Sequence, residues 1–473
     1  MQSPAEQFDD FRTSLGGPAG IAAGLIGDGV AFEGPFGPRP LIYADYTASG
    51  RALRQVEAFM LDHVLPFYGN THTTASHCGA HTTRLREAAR GVIARHVKAG
   101  PDHAVIFGGG GATAGINRLP HLFGLAGAEE TPLVLLGPYE HHSNILPWRE
   151  CGAEVRILPE AATGGPDMDA LAAALDGAGT RPVVGAFSAA ANLTGQLTDV
   201  VAVTRLLKSH GALAVWDYAC GGPYLDIDMS AGTDHMIDAL VFSPHKFAGG
   251  PGASGVLVLN RRAVAASRPS LPGGGTVRFV SHWGHDYVAD VVEREEAGTP
   301  AILGDIRAAL AVLVKEEIGT AHMAERHAAL RARALERWRD LPNLTLHGQE
   351  ADDRLPIFAL SLADGDVPLP AQLFTRMLSD HFGVQTRSGC ACAGPYGHTL
   401  LEIDEDRSAT MRRAILSGDD SAKPGFTRLN LSALLSDAKA EAIIDAVARI
   451  AAAPNDFAAP YQGAAVAGAV AAE

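Results

Sequence analysis

One lysine in this chain stands where an amine can do chemistry. Lys246 lies in VFSPHKFAGGPGASGVLV (241–258), between a hydrophobic run ending at Phe242 and a glycine-rich turn that opens the next run. Ser243 and Pro244 stop the first run, and Gly249, Gly250, Gly252 and Gly255 let the backbone pass close to a ligand. In an open α/β sheet ligands gather beyond the carboxyl ends of the strands, which is where this pattern puts the amine. A lysine withdrawn from water loses basicity and becomes a nucleophile able to form a Schiff base with an aldehyde. The segment also reads as an ordinary strand-turn-strand connection, so the neighbouring motifs decide.

A pyridine-type aldehyde acts as an electron sink only while its ring nitrogen stays protonated, which calls for a carboxylate partner. Asp217, in WDYAC after the hydrophobic run 212–215, supplies one, although alone it reads as a turn former or helix cap. A phosphate needs backbone N–H groups and hydroxyls at a helix start. IFGGGGATAGIN (106–117) offers four glycines and Thr113 in that layout, and Ser243 and His245 flank the lysine to complete an anion shell. His141 or His142 of PYEHHSNILPW is placed to stack on a ring and to move protons. Asn192 of AAANLTG is placed to donate to a ring hydroxyl, and by itself is equally a turn residue. Each signal alone is weak, but they follow one another at successive strand ends in the order one ligand would need.

An amino-acid substrate presents a carboxylate, which a guanidinium grips in bidentate fashion. Arg387 in TRSGCACAG and Arg428 in FTRLNLS are the candidates, with a surface or interdomain salt bridge as the alternative use of either. The chain has 5 cysteines, an odd number without disulfide-framework spacing, so free thiols are expected. In an extended segment Cys390 and Cys392 point to the same side, making Cys390 a resolving thiol or a bystander. No second pair at metal spacing accompanies them, so no metal site is expected.

The elements that must position these residues are legible as patterns. Apolar runs at 105–107, 133–136, 155–158, 183–187, 212–216, 239–242 and 255–259 alternate with helical stretches such as 84–96 and 200–209. That alternation predicts an α/β domain with a mostly parallel seven-stranded sheet covered on both faces, followed by a smaller C-terminal α+β domain. The expected organisation is an N-terminal segment at 1–40, the large domain at 41–303, a long connecting helical region at 304–342, the small domain at 343–454 and a tail at 455–473. GDDSAKPGF (418–426) reads as a polar loop, and the last dozen residues of the alanine-rich tail are expected to be disordered. With 53 Asp+Glu against 38 Lys+Arg the net charge of -15 disfavours nucleic acid and anionic membranes as partners. The first thirty residues are glycine-broken and lack a basic leader, unlike a signal peptide or a membrane span, and a cytoplasmic protein is expected.

The stretches IYADYTASG, GNTHTTASHCGAHTTRLREAAR, GGATAGIN, EHHSNILPW, NLTG, WDYACGGPYLDID, FSPHK, PGGGTV, EREEAGTP and RSGCACAGP cover most of 41–400. In that order they resemble the class V aminotransferase superfamily of pyridoxal 5'-phosphate (PLP) enzymes of fold type I, and most of all its cysteine desulfurase and selenocysteine lyase branch. The resemblance makes 41–303 the PLP-binding domain. It implies Lys246 as the Schiff-base lysine, Asp217 as partner of the pyridine nitrogen, His141 as the stacking histidine and Asn192 as the residue near the ring hydroxyl. Ala112, Thr113, Ser243 and His245 fall at phosphate-contact positions. Thr299 of EAGTP matches a residue reaching the phosphate of a neighbouring subunit, which implies a homodimer with shared active sites. Arg387 and Arg428 match positions near the substrate carboxylate, and Cys392 matches the thiol that carries sulfur as a persulfide. Such a thiol works as a thiolate on a partly exposed loop near positive charge. The implied reaction removes sulfur or selenium from L-cysteine or an analogue and releases alanine, with a sulfur-acceptor protein as a further partner. Two positions depart from the pattern: Cys220 stands where a glutamine is common, and Ala112 replaces a hydroxyl residue. They keep a C–S β-lyase, an aminotransferase or an epimerase open as alternatives. A noncatalytic scaffold predicts loss of Lys246 or Asp217, and both are present.

Overall fold

The computed structural model describes residues 3–71, 73–348, 353–419 and 423–461. Within it the apolar runs become strands β1 (His103–Gly108), β2 (Leu133–Leu136), β3 (Glu154–Ile157), β4 (Val183–Ser188), β5 (Leu213–Asp217), β6 (Ala239–Phe242) and β7 (Gly255–Asn260). They form one 7-stranded sheet in the order β1-β7-β6-β5-β4-β2-β3. The pairs β2/β3, β2/β4, β4/β5 and β5/β6 are parallel, whereas β7 runs antiparallel to both β6 and β1. Central strands such as β2 and β6 are buried along their whole length, as continuous apolar runs in a doubly covered sheet must be. Helices α1 (His77–His96), α2 (Gly111–Leu122) and α3 (Val200–Ser209) are among those that accompany the sheet, and Ile116, Leu119 and Leu122 of α2 share a core with Ile106, Val134 and Val241.

The chain divides into two units. The first comprises the described residues up to Ile26, with Ser49–Ala190 and Thr198–Thr320; the second comprises Gly27–Ala48, Ala191–Leu197 and the described residues from Ala321 onward. The two short segments belong to the second unit for identifiable reasons. Ile42–Tyr43 pairs in parallel with Val384–Gln385, and the Leu355 N–H donates to the Gly195 carbonyl at 2.9 Å. The stretch expected as one helical region is two helices, α4 (Ile302–Ile318) and α5 (Thr320–Trp338), broken at Gly319, whose φ of +82° no side chain adopts easily.

In the second unit β8 (Leu344–His347), β9 (Ile357–Asp364), β10 (Arg387–Gly389) and β11 (Phe426–Asn430) pair antiparallel in the order β8-β9-β11-β10. Its core gathers Trp338, Phe358, Phe374 and Ile444, with the Trp338 indole donating to the Ile444 carbonyl at 2.9 Å. The start of the expected tail is ordered: Pro454–Ala458 is helical and Tyr461 packs into this core, its hydroxyl 3.0 Å from Asp380. Residues 462–473, expected to be disordered, lie outside the described residues, as do 420–422 of the polar loop. Among the described residues no helix is long and apolar enough to cross a membrane.

Two quoted motifs meet in a buried ion network of the first unit. Arg86 of α1 donates to Asp305 and to Glu296, each at 2.6 Å, and Arg90 donates to Glu296 at 2.8 Å. Glu296 also accepts the Phe107 N–H at 2.8 Å. HTTRLREAAR and EREEAGTP therefore fix helix, strand and the Gly298–Thr299 bend against one another, since removing one member strands a buried charge.

Candidate functional site

In the first unit β6 ends at Phe242 and passes at once into a 3-10 turn, Pro244–Lys246, which holds the half-buried Lys246 beyond the carboxyl end of a central strand. Gly50 clamps the turn: its N–H donates to the His245 carbonyl at 2.9 Å, and a methyl group there would collide with the Phe247 carbonyl. The glycine run packs against the same turn. Gly111 opens α2 at a φ of +64°, and any Cβ on it would meet the His245 ring and the Ser243 hydroxyl at 2.9 Å. The next N–H, that of Ala112, donates to Ser243 Oγ at 2.9 Å.

The hydroxyl of Thr113 lies 2.7 Å from that of Ser143, which lies 3.1 Å from His141 Nδ1. Nδ1 also accepts the Ser143 N–H at 3.1 Å, so in the neutral ring the proton sits on Nε2. Ser143 thus ties the histidine after β2 to the hydroxyl at the start of α2.

Asp217 ends β5, between Ser188 of β4 and Val241 of β6 in register, and is 4% exposed. Its Oδ1 accepts the Ala219 N–H at 2.7 Å. Burial pushes its pKa up, against that hydrogen bond and the positive charge of Lys246. Behind it is a second acid, Glu140, 3% exposed, which accepts the Ser188 N–H at 2.8 Å, the Ser188 hydroxyl at 2.7 Å and the Asn144 amide at 2.6 Å. Burial raises Glu140 to about 7, with the Asp217 charge adding to the rise.

Glu140 carries a pH prediction. Its proton is held in the fold up to about pH 7 but is lost near 4.5 from the unfolded chain, so between those values the folded state binds more protons. Its contribution to stability is therefore complete below about 4.5 and is lost as pH rises through about 7, on the order of 3 kcal/mol at most. Thermal unfolding from pH 5 to pH 8 is expected to show a falling midpoint that flattens in Glu140→Gln; equal slopes in both proteins would refute the assignment.

The second unit holds the other candidates. Arg387 and Arg428 face each other across β10 and β11. Both bind one carboxylate, Asp45: Arg428 Nη2 donates to Oδ1 at 2.8 Å and Arg387 Nε to Oδ2 at 3.1 Å. Arg428 is buried and Arg387 half-exposed. Asn192 gives its backbone carbonyl to Arg428 Nη1 at 3.4 Å and donates its amide to the Ala391 carbonyl at 2.7 Å. Ala391 belongs to the loop between β10 and the helix Gly394–Leu400 that carries Cys390 and the exposed Cys392.

Residues 42–417 match the family model described as aminotransferase class-V. The chain belongs to the class-V aminotransferase family. A probable cysteine desulfurase of Staphylococcus epidermidis is 28% identical over 375 residues, 78% of this chain and 87% of the relative. One of Staphylococcus aureus is 28% identical over 359 residues, 75% and 84% of the two chains. The fold matches that of the apo cysteine desulfurase of Thermococcus onnurineus NA1 at a TM-score of 0.71, with 23% identity and 87% and 94% coverage. It matches that of Escherichia coli CsdA at 0.72, with 22% identity and 91% and 98% coverage. This class-V family member is accordingly a PLP-dependent enzyme of fold type I.

The first unit's residues fit that cofactor. Asp217, whose charge burial disfavours, gains from a protonated ring nitrogen, and the cradle at Gly111 admits no side chain where an anion's backbone donors are wanted. Ala112, despite lacking a hydroxyl, contributes its N–H to the same shell through Ser243. His245 flanks the lysine, its pKa lowered by burial and then by the Lys246 charge. Thr299 is exposed in its bend.

The class-V chain departs from the expectations in two places. Asn192 lies with the second unit, and its amide goes to the cysteine loop. The cysteine segment is not extended. The Ala393 N–H donates to the Cys390 carbonyl at 3.1 Å, and Ala391 and Cys392 have φ of 47° and 57°, the signature of a type I′ turn, so the two thiols do not follow strand alternation. Cys220 is buried and Cys390 half-buried. Sequence reasoning passed over Ser143, Glu140 and Asp45. The first two sit beside His141 in a motif already singled out, and Asp45 is the acid of IYADYTASG.

Proposed function

We propose that this class-V family member is a cysteine desulfurase-like enzyme that takes L-cysteine or a related sulfur or selenium amino acid and releases alanine. The observation that carries the reading is the exposed Cys392 on a tight turn five residues after Arg387, in a chain that also sets Lys246 beside a buried Asp217. The names of its relatives support it.

Bound at Lys246, pyridoxal phosphate supplies an electron sink for the substrate α-carbon. Lys246 holds the group and takes the α-proton on its amine. Asp217 would keep the ring nitrogen protonated, and His141, held by Ser143 with its proton on Nε2, would be the ring's stacking partner. Ala112, Thr113, Ser243 and His245 would hold the phosphate, with Thr299 reaching the phosphate of the other subunit of a homodimer. Arg387 and Arg428 hold the substrate carboxylate. The Cys392 thiolate attacks the substrate sulfur: an S–S bond forms, the C–S bond breaks, its electron pair stays on the three-carbon fragment, and protonation gives alanine. A sulfur-acceptor protein then discharges the persulfide, in the cytoplasm.

Cys220 in place of a glutamine favours one second reading, a C–S β-lyase, aminotransferase or epimerase of the same family acting on a specialised amino acid. Incubation with L-cysteine, with alanine, pyruvate and sulfide assayed together, separates them. Alanine in step with sulfide supports the desulfurase; pyruvate with sulfide, or neither product, defeats it.

A further inference from the structure

Arg387 and Arg428 are direct cross-strand partners, an arrangement that repels unless an anion bridges it. Asp45 is that anion, one oxygen on each guanidinium, so the three side chains together keep one positive charge. Arg428 is 3% exposed, and its Nε is buried with no hydrogen-bond partner among the described residues. A buried guanidinium N–H left unmade is costly, and it calls for a ligand oxygen. Asn192 Oδ1 is also buried without a partner, and since the amide nitrogen is committed to Ala391, the open atom is an acceptor. Around one net positive charge the second unit therefore leaves open one buried donor and one buried acceptor. That suits a ligand bringing a carboxylate and an N–H together.

We infer that Asp45 is a specificity-determining residue that sets the charge of the carboxylate site, so that it accepts α-amino acids with a single carboxylate and disfavours dicarboxylic ones. The inference rests on Arg387 and Arg428 holding the substrate carboxylate, as in the proposed function. One carboxylate brings the cluster to neutrality, whereas a second brings excess negative charge to groups already partly buried, where like charges interact strongly. Without Asp45 the two arginines keep both charges and welcome a dianion. Asp45 itself need touch no reacting atom; it acts through the two arginines.

The test uses the cofactor-loaded enzyme and reads the change in its visible absorbance on titration with L-alanine and with L-aspartate, without turnover. Wild type is expected to bind L-alanine more tightly. Asp45→Asn is expected to shift the affinity ratio towards L-aspartate by about tenfold, and Asp45→Glu to restore it. Arg387→Gln, at a half-exposed side chain, removes one positive charge and is expected to shift the ratio the other way; this arm stands even where Asp45→Asn fails to fold. An unchanged ratio in Asp45→Asn and Arg387→Gln, or an equal loss of both affinities, overturns the inference and leaves Asp45 a structural counter-ion. Because no turnover is read, failure here is distinct from failure of wild type to form alanine and sulfide from L-cysteine.

Discussion

Lys246→Ala is expected to lose turnover of any amino acid by about 1,000-fold or more and to abolish the visible absorbance of the cofactor-loaded protein. The magnitude follows from what one amine is asked to do: it anchors the cofactor covalently and is the base at the α-carbon, so no neighbour replaces both functions. The surroundings point the same way. The 3-10 turn Pro244–Lys246 is pinned by Gly50, packed on Gly111 and faced by Asp217, whose pKa the lysine's charge depresses against the effect of burial. Truncation at a half-buried position leaves the fold intact, so the midpoint of thermal unfolding without cofactor should stay within a few degrees of wild type. Retained absorbance, or activity within tenfold, would remove Lys246 from the chemistry.

The second large effect is expected at Cys392. Cys392→Ala should lower alanine and sulfide formation from L-cysteine by about 100-fold or more while leaving the cofactor spectrum unchanged, because an exposed thiol on a turn has no share in holding the ring. The turn itself is indifferent to the change. Its two central residues take positive φ, where alanine and cysteine are strained alike, and Ala391 already adopts it. A loss of activity in Cys392→Ala therefore reports missing sulfur chemistry in a turn whose backbone tolerates alanine as it tolerates cysteine. Full sulfide release by this variant would shift the assignment to a β-lyase.

The large sheet was legible because buried parallel strands are continuous apolar runs; β2 and β6 have the same bounds, 133–136 and 239–242, in sequence and structure. Lys246 and Asp217 were legible because each ends such a run. The cysteine turn was not, since alternation presumes extended backbone and nothing in Cys-Ala-Cys announces two left-handed residues without glycine. Asp45 was not, since its partners lie 342 and 383 residues away and only β10 and β11 bring the two arginines opposite each other. Asn192 followed a strand of the first unit but packs with the second, where its amide secures the loop bearing Cys392. Glu140 was hidden by its neighbour: a carboxylate beside two histidines draws no notice until burial raises it to about 7 against the pull of three donors.

The most direct test is the mass of the peptide carrying Cys392, isolated without reductant after the cofactor-loaded enzyme has met L-cysteine. The account predicts one added sulfur on that peptide, in an amount equal to the alanine formed in the first turnover and absent in Lys246→Ala. An unmodified Cys392 while pyruvate or sulfide accumulates would contradict it.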